Sequence, residues 1–329
     1  MLIQNSHFRV TWLFTVSLAT AWFSVIRTNT YHTPFYPMAD PKYLISEAEK
    51  LLKPQSGFML FFSGLLTDRK EDALDCFVQA GNAYRLQKNY VDAGAQFVRA
   101  LDIQTELGNH NEAANHLVEA YKCYKDALPS DAIEALKKAI HIFLTQNGQF
   151  RRAANFTGDL AELYEKVGDQ ENAILSYEQA GDYFLTDRAD ALASKSYLKC
   201  ADLCAATGDY AKAIKFYDNI IKVAMGNNLL RWLLKDYFFK VILCLLCMDD
   251  EIEALKRLEQ YLGEEPLFEL LREGQLLRDI LEAIEAGDLE KFQEKVFDYD
   301  KFSKLDKLKT QLLLKVKNQV VSKEEVDLL

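Results

Sequence analysis

The sequence has little that breaks a helix. Only 14 of its 329 residues are glycine and 6 are proline, too few for the many tight turns of a β-sandwich and far too few for a collagenous chain. Six cysteines scattered through apolar stretches exclude a disulfide-stapled scaffold. Basic charge is also short: 39 Lys and Arg face 49 Asp and Glu, a formal net charge of −10. That sign is wrong for a chain whose whole surface grips a phosphate backbone, so no nucleic acid is expected as a partner. There is no G-x-x-x-x-G-K-[ST] phosphate loop, no nucleophile elbow and no H-E-x-x-H pair. We therefore expect no enzyme, no metal and no cofactor. Cys244 and Cys247 have a zinc-type or redox-type spacing, but they lie within VILCLLCM without a second pair or a histidine partner. Buried free thiols are the better reading.

Residues 1–37 differ from the rest. They hold no Asp, Glu or Lys and only two arginines, Arg9 and Arg27, so the chain from Met38 onward carries −12. Val10 to Ile26 is a run of 17 uncharged residues, the lower limit for a spanning helix and long for a signal-peptide core. Met38 then opens MADPKYLISEAEK, which reads as an ordinary cytosolic start with Asp40 as N-cap and Pro41 at the first helical position. We read residues 1–37 as an upstream extension of the gene model, with a membrane anchor as the alternative and a cleaved signal last.

What the sequence does have is a repeat. Gly108, Gly148, Gly168 and Gly208 stand on a 20-residue grid, and five residues after each comes an alanine: Ala113, Ala153, Ala173 and Ala213. The grid also passes Lys88 with Ala93 and Arg188 with Ala193, and Leu128-Pro129 breaks the chain where a unit is due. A glycine at a helix C-terminus can take the left-handed conformation that ends the helix, and an early alanine lets two helix axes approach. Twenty residues accommodate one helix and its turn, so two units make a hairpin of about 40 residues. Aromatics such as Tyr84, Phe97, Tyr124, Phe143, Tyr164, Tyr177 and Tyr217 fall at helical spacing and fill the layers between helices. The expected fold is all-α: a tetratricopeptide-like solenoid of antiparallel helix hairpins over residues 38–228. A helical bundle over 229–320 caps it, opened by one long apolar helix from Leu229 to Met248, and residues 321–329 form an acidic tail.

Three surface features are left over from this core. Phe58, Met59, Leu60, Phe61 and Phe62 form a loop between Gly57 and Gly64, either buried under the first hairpin or exposed to a lipid interface. Lys195 and Lys199 form an i, i+4 pair, with Lys235 beyond; such a pair is either a solvated helix face or a local positive patch for an acidic partner. Asp249, Asp250, Glu282, Glu285 and the tail make a carboxylate set that is either solvation or a docking surface for a basic partner.

From Met38 to Leu329 the sequence resembles the soluble NSF attachment proteins, most of all the fungal members of the alpha type. The resemblance rests on SEAEK, SGFMLFFSG, VEAYKCYK, GQFRRAANF, SKSYLKCADL, LKDYFFK, FDYDKFSKLDKLKTQLLLKVK and the terminal DLL. It implies a cytoplasmic adaptor, peripheral on endomembranes, acting in vesicle-mediated transport. Several copies would wrap a SNARE four-helix bundle of syntaxin-, SNAP-25- and synaptobrevin-type helices and recruit the hexameric AAA ATPase NSF, stimulating it to disassemble the bundle. By position the resemblance assigns Phe58 and Met59 to a membrane-contacting loop. It assigns Lys195, Lys199 and Lys235 to the SNARE surface, and Asp249, Glu282, Glu285 and the terminal Leu328 and Leu329 to the ATPase. Asn155 stands where animal relatives carry a SNARE-facing lysine, for which Arg151 or Arg152 would substitute, and Ala286 replaces a family glutamate. The rival expectation is a tetratricopeptide scaffold or co-chaperone that clamps peptide C-termini.

Overall fold

Most repeat turns are helix ends in the left-handed region; the turn before Pro129 is made without one, with Leu128 extended (φ −136°). The computed structural model describes residues 40–53 and 63–327, which form fourteen α-helices and no strand among the described residues. They are α1 (Pro41–Leu52), α2 (Ser63–Leu86), α3 (Tyr90–Glu106), α4 (His110–Tyr124), α5 (Pro129–Asn147), α6 (Phe150–Val167), α7 (Gln170–Thr186), α8 (Asp190–Thr207), α9 (Tyr210–Met225), α10 (Leu234–Cys247), α11 (Glu251–Glu264), α12 (Arg272–Glu285), α13 (Leu289–Phe302) and α14 (Lys307–Asp327). Short 3-10 turns at Arg231–Leu233 and Pro266–Leu270 precede α10 and α12. The apolar loop residues Phe58 to Phe62, all of residues 1–37, and Leu328 and Leu329 lie outside the described residues.

The grid positions behave as one motif. Gly108, Gly148, Gly168 and Gly208 all have positive φ, and so do Lys88 (60°) and Arg188 (56°), which take the same conformation with a side chain present. In most of these turns the next residue donates its backbone N–H to the carbonyl five positions back, as in Asn89 to Tyr84 (2.9 Å), Asp169 to Tyr164 (2.9 Å) and Asp209 to Cys204 (2.9 Å), the hydrogen bond of a Schellman cap. Asn89, Asp169 and Asp209 then cap the following helix with their side chains. The alanines that follow are all fully buried; there a longer side chain would force the helices apart.

The 20-residue spacing ends at Gly208, but the turn recurs. Asp249 (φ 62°) and Gly287 (φ 64°) adopt the same conformation, with Asp250 donating to Leu245 (3.1 Å) and Asp288 to Ala283 (2.8 Å). Five residues later stand buried Ala254 and Phe292. The bundle thus continues the turn chemistry of the repeats at a longer spacing.

Polar contacts between every second helix define two layers. Arg85–Glu119 (2.7 Å) joins α2 to α4, and Arg152 donates to Asn115 (2.7 Å) between α6 and α4. In the other layer Arg99–Glu49 (2.9 Å) joins α3 to α1, Lys212–Glu178 (3.1 Å) joins α9 to α7, and Arg257–Asp218 (2.8 Å) joins α11 to α9.

The run from Leu229 to Met248 is not one helix. Asn227 accepts the backbone N–H of Leu229 (2.9 Å), and the chain makes a 3-10 turn before α10 begins at Leu234. Leu229 is therefore 82% exposed and Trp232 69%. From Tyr237 to Cys247 every residue of α10 is buried, as expected of a helix surrounded on all sides. Its core runs without a break from Ala161 and Tyr177 in the stack to Leu277, Phe292 and Val316 in the bundle. Phe238 stacks on Tyr261 (3.9 Å between centroids) and meets Phe268 edge-on (5.3 Å).

One charge sits inside that core. Lys240 is 5% exposed. Its ammonium donates to both oxygens of Asp202 on α8 (2.9 and 3.1 Å) and pairs with Asp236 one turn back (3.2 Å). The Tyr217 hydroxyl on α9 also donates to Asp202, and Lys309 on α14 pairs with Asp236. Burial alone would push the Lys240 ammonium down, but the two carboxylates outweigh it and hold it above the ordinary lysine value. Burial likewise works to raise Asp236, and Lys240 and Lys309 overcome it, leaving that carboxyl below its ordinary value.

Two predictions test these features. Arg188→Gly should stabilise the chain by about 0.5–1 kcal/mol and Gly168→Ala should destabilise it by about 1 kcal/mol, both read from the urea midpoint at unchanged slope. A loss from both would show that Arg188 serves through its side chain. Lys240→Met should cost about 2–3 kcal/mol, less than a fully buried pair because the carboxylates are partly wet. In the wild type the raised Lys240 contributes stability that is complete below about pH 10.4 and lost as pH rises through its folded value. Asp236, being depressed, contributes stability present above about pH 3.9 and lost as pH falls through its folded value. Lys240→Met should shrink both limbs; an unchanged pH–stability curve would contradict this account of the network.

Candidate functional site

Two charged surfaces lie on either side of the Lys240 joint. The first is on α8, where Ala193, Cys200, Ala201 and Cys204 face the core. At 100° per residue, Lys195 and Lys199 project from the opposite side of that helix. Both are exposed, and neither makes an ion pair among the described residues. Tyr197 lies between them in sequence, stacked on Phe216 (5.8 Å) with its hydroxyl donated to Asp182. Gly181 leaves room for that ring: a Cβ there would stand 2.5 Å from it.

The other expected cations are occupied. Arg151 pairs with Asp187 in the turn before α8. Arg152 lies over the Phe143 ring (4.3 Å) and donates to Gln149 (3.0 Å) and Asn115 (2.7 Å). Lys235 on α10 pairs with Glu273 of α12 at 2.8 Å. All of them stand on α6, α8 and α10, successive members of one layer. Arg151 and Lys235 meet carboxylates, Arg152 is held by neutral amides and a ring, and Lys195 and Lys199 have no side-chain partner among the described residues. Asn155 is exposed one turn beyond Arg151 on α6. Leu229 and Trp232, exposed just before Lys235, were hidden from sequence reasoning by their apolar surroundings; the Asn227-Asn228 pair is the signal that the helix breaks there.

The second surface is acidic. Glu282 and Glu285 are exposed on α12, and Glu282 meets Lys291 of α13 at 3.3 Å. Asp249 is exposed but has a structural task as well, since it holds the left-handed turn between α10 and α11, a conformation that aspartate tolerates better than most residues. Glu282 and Glu285 border a cleft of about 400 Å³ between α11 and α12. On α10, Cys244 and Cys247 are buried free thiols. The Cys247 thiol is donated to the Leu312 carbonyl of α14 (3.5 Å), and burial pushes it up to about 11. No helix among the described residues is long and apolar enough to cross a membrane.

Paired helix layers, most of them joined by left-handed turns, define an all-α helical-repeat protein with exposed faces of opposite charge. The family model for the soluble NSF attachment protein, SNAP, matches residues 39–321, and the chain belongs to that family. It is 42% identical to the vesicular-fusion protein SEC17 of Komagataella phaffii, over 88% of this chain and 98% of that one. With the alpha-soluble NSF attachment protein of Saccharomyces cerevisiae it shares 43% identity over 88% of this chain and 99% of the other. The Homo sapiens protein of the same name is 35% identical over 87% and 97%. These are attachment and fusion proteins by name rather than enzymes.

Proposed function

We propose that this chain is an adaptor for SNARE complex disassembly. The solenoid of residues 38–228 binds the assembled SNARE four-helix bundle through Lys195 and Lys199, flanked by Arg151, Arg152 and Lys235. The C-terminal bundle of residues 229–320 recruits the NSF ATPase hexamer through Asp249, Glu282 and Glu285, and Leu328 and Leu329 in the tail stimulate it. The loop Phe58, Met59, Leu60, Phe61 and Phe62 touches the membrane, making a cytoplasmic protein peripheral on endomembranes. The observation that carries this reading is the lysine pair on α8: two uncompensated cations, aimed away from the core, on a chain of net charge −10. Supporting it is the family to which the chain belongs.

Exposed ion pairs are worth only about 0.2–1 kcal/mol each, so the adaptor works through several copies and several contacts at once. Lys195→Glu with Lys199→Glu should weaken binding of a soluble SNARE bundle by about ten-fold at low salt, with the difference shrinking as salt rises. Unchanged binding at low salt would remove these lysines from the interface.

A further inference from the structure

The cleft between α11 and α12 has an apolar floor that the acidic residues alone do not account for. Ile252, in the first turn of α11, is 85% exposed, and Leu255 one turn on is 49% exposed. Both line the cleft, with Leu258 and Leu281 deeper in it. Its lining carries Glu251, Glu259, Glu282 and Glu285 with Arg278. Arg278 is paired with Glu269 (2.8 Å) and Glu282 meets Lys291 just outside the cleft (3.3 Å), which leaves the rim net negative.

We propose that this cleft binds a short amphipathic segment of the partner ATPase, with apolar side chains seated on Ile252 and Leu255 and Lys or Arg side chains meeting the carboxylate rim. The inference rests on the proposed function for the identity of the partner and adds to it the apolar anchor. Charge complementarity selects the occupant. A rim with four carboxylates repels an acidic segment and attracts a basic one, while an apolar floor rewards any occupant that covers it. The chain's own tail is a poor fit on this ground, because Glu324, Glu325 and Asp327 precede its two leucines. Rim charges act over distance and are screened by salt; the apolar floor acts on contact and is not. The two contributions therefore separate in one experiment.

The measurement is the affinity of the full chain, bound to a SNARE bundle, for the NSF-type ATPase hexamer across a range of salt. Ile252→Ser with Leu255→Ser should lose about ten-fold, equivalent to about 1.4 kcal/mol, at every salt concentration and keep the wild-type salt slope. Glu282→Gln with Glu285→Gln should lose most at low salt and flatten the slope. Both apolar residues are largely exposed, so the double variant should keep the wild-type melting temperature. If the apolar variant binds like wild type while the charge variant is weakened, the acidic face stands and the apolar anchor is overturned. If neither variant changes affinity, the assignment of this face to the ATPase fails, and the anchor with it. Should truncation after Asp327 give the same salt-independent loss in wild type and none in the apolar variant, the occupant is the chain's own C-terminus, which also overturns the proposal.

Discussion

A buried ammonium governs how the two halves of this protein meet. Lys240 lies on a helix covered on all sides and can remain charged there only with carboxylates in reach. Asp202 comes from the last hairpin of the stack and Asp236 from its own helix, with Tyr217 and Lys309 completing the set. Satisfying Lys240 therefore fixes α8, α9, α10 and α14 relative to one another. The apolar core that surrounds it is continuous across the same junction. The lysines on α8 and the acidic face on α11 and α12 consequently belong to elements packed around one continuous core.

The periodic part of this architecture was legible in the sequence because it is local. A left-handed turn wants glycine, and a close helix approach wants alanine five residues on, so both leave marks at fixed spacing. Even Lys88 and Arg188 were marked by the grid, although they lack the glycine. The turns at Asp249 and Gly287 escaped because the spacing lengthens while the chemistry persists. The break before α10 escaped for another reason. Hydropathy sums Leu229 and Trp232 with the buried residues that follow and cannot register a 3-10 turn.

The candidate surfaces were legible in the same uneven way. Lys195 and Lys199 share a helix, so their common face follows from a spacing of four. The neutralisation of Lys235 by Glu273 joins residues 38 positions apart, and the occupation of Arg151 and Arg152 depends on the turn before α8 and on α4. Such partners are set by the tertiary fold and leave no local pattern. The apolar floor beneath Glu282 and Glu285 needs two helices to exist at all.

The adaptor proposed above, with weak individual contacts, would depend on holding both partners at once, and the joint at Lys240 packs the elements that carry its two faces against one another. The most direct measurement is ATP hydrolysis by the NSF-type ATPase hexamer in the presence of a preassembled SNARE bundle, with the full chain added as wild type or as Leu328→Ala. The account predicts stimulation that requires the bundle and is lost in Leu328→Ala while SNARE binding is kept. A folded, helical chain that binds neither the bundle nor the ATPase and leaves hydrolysis unchanged would contradict it.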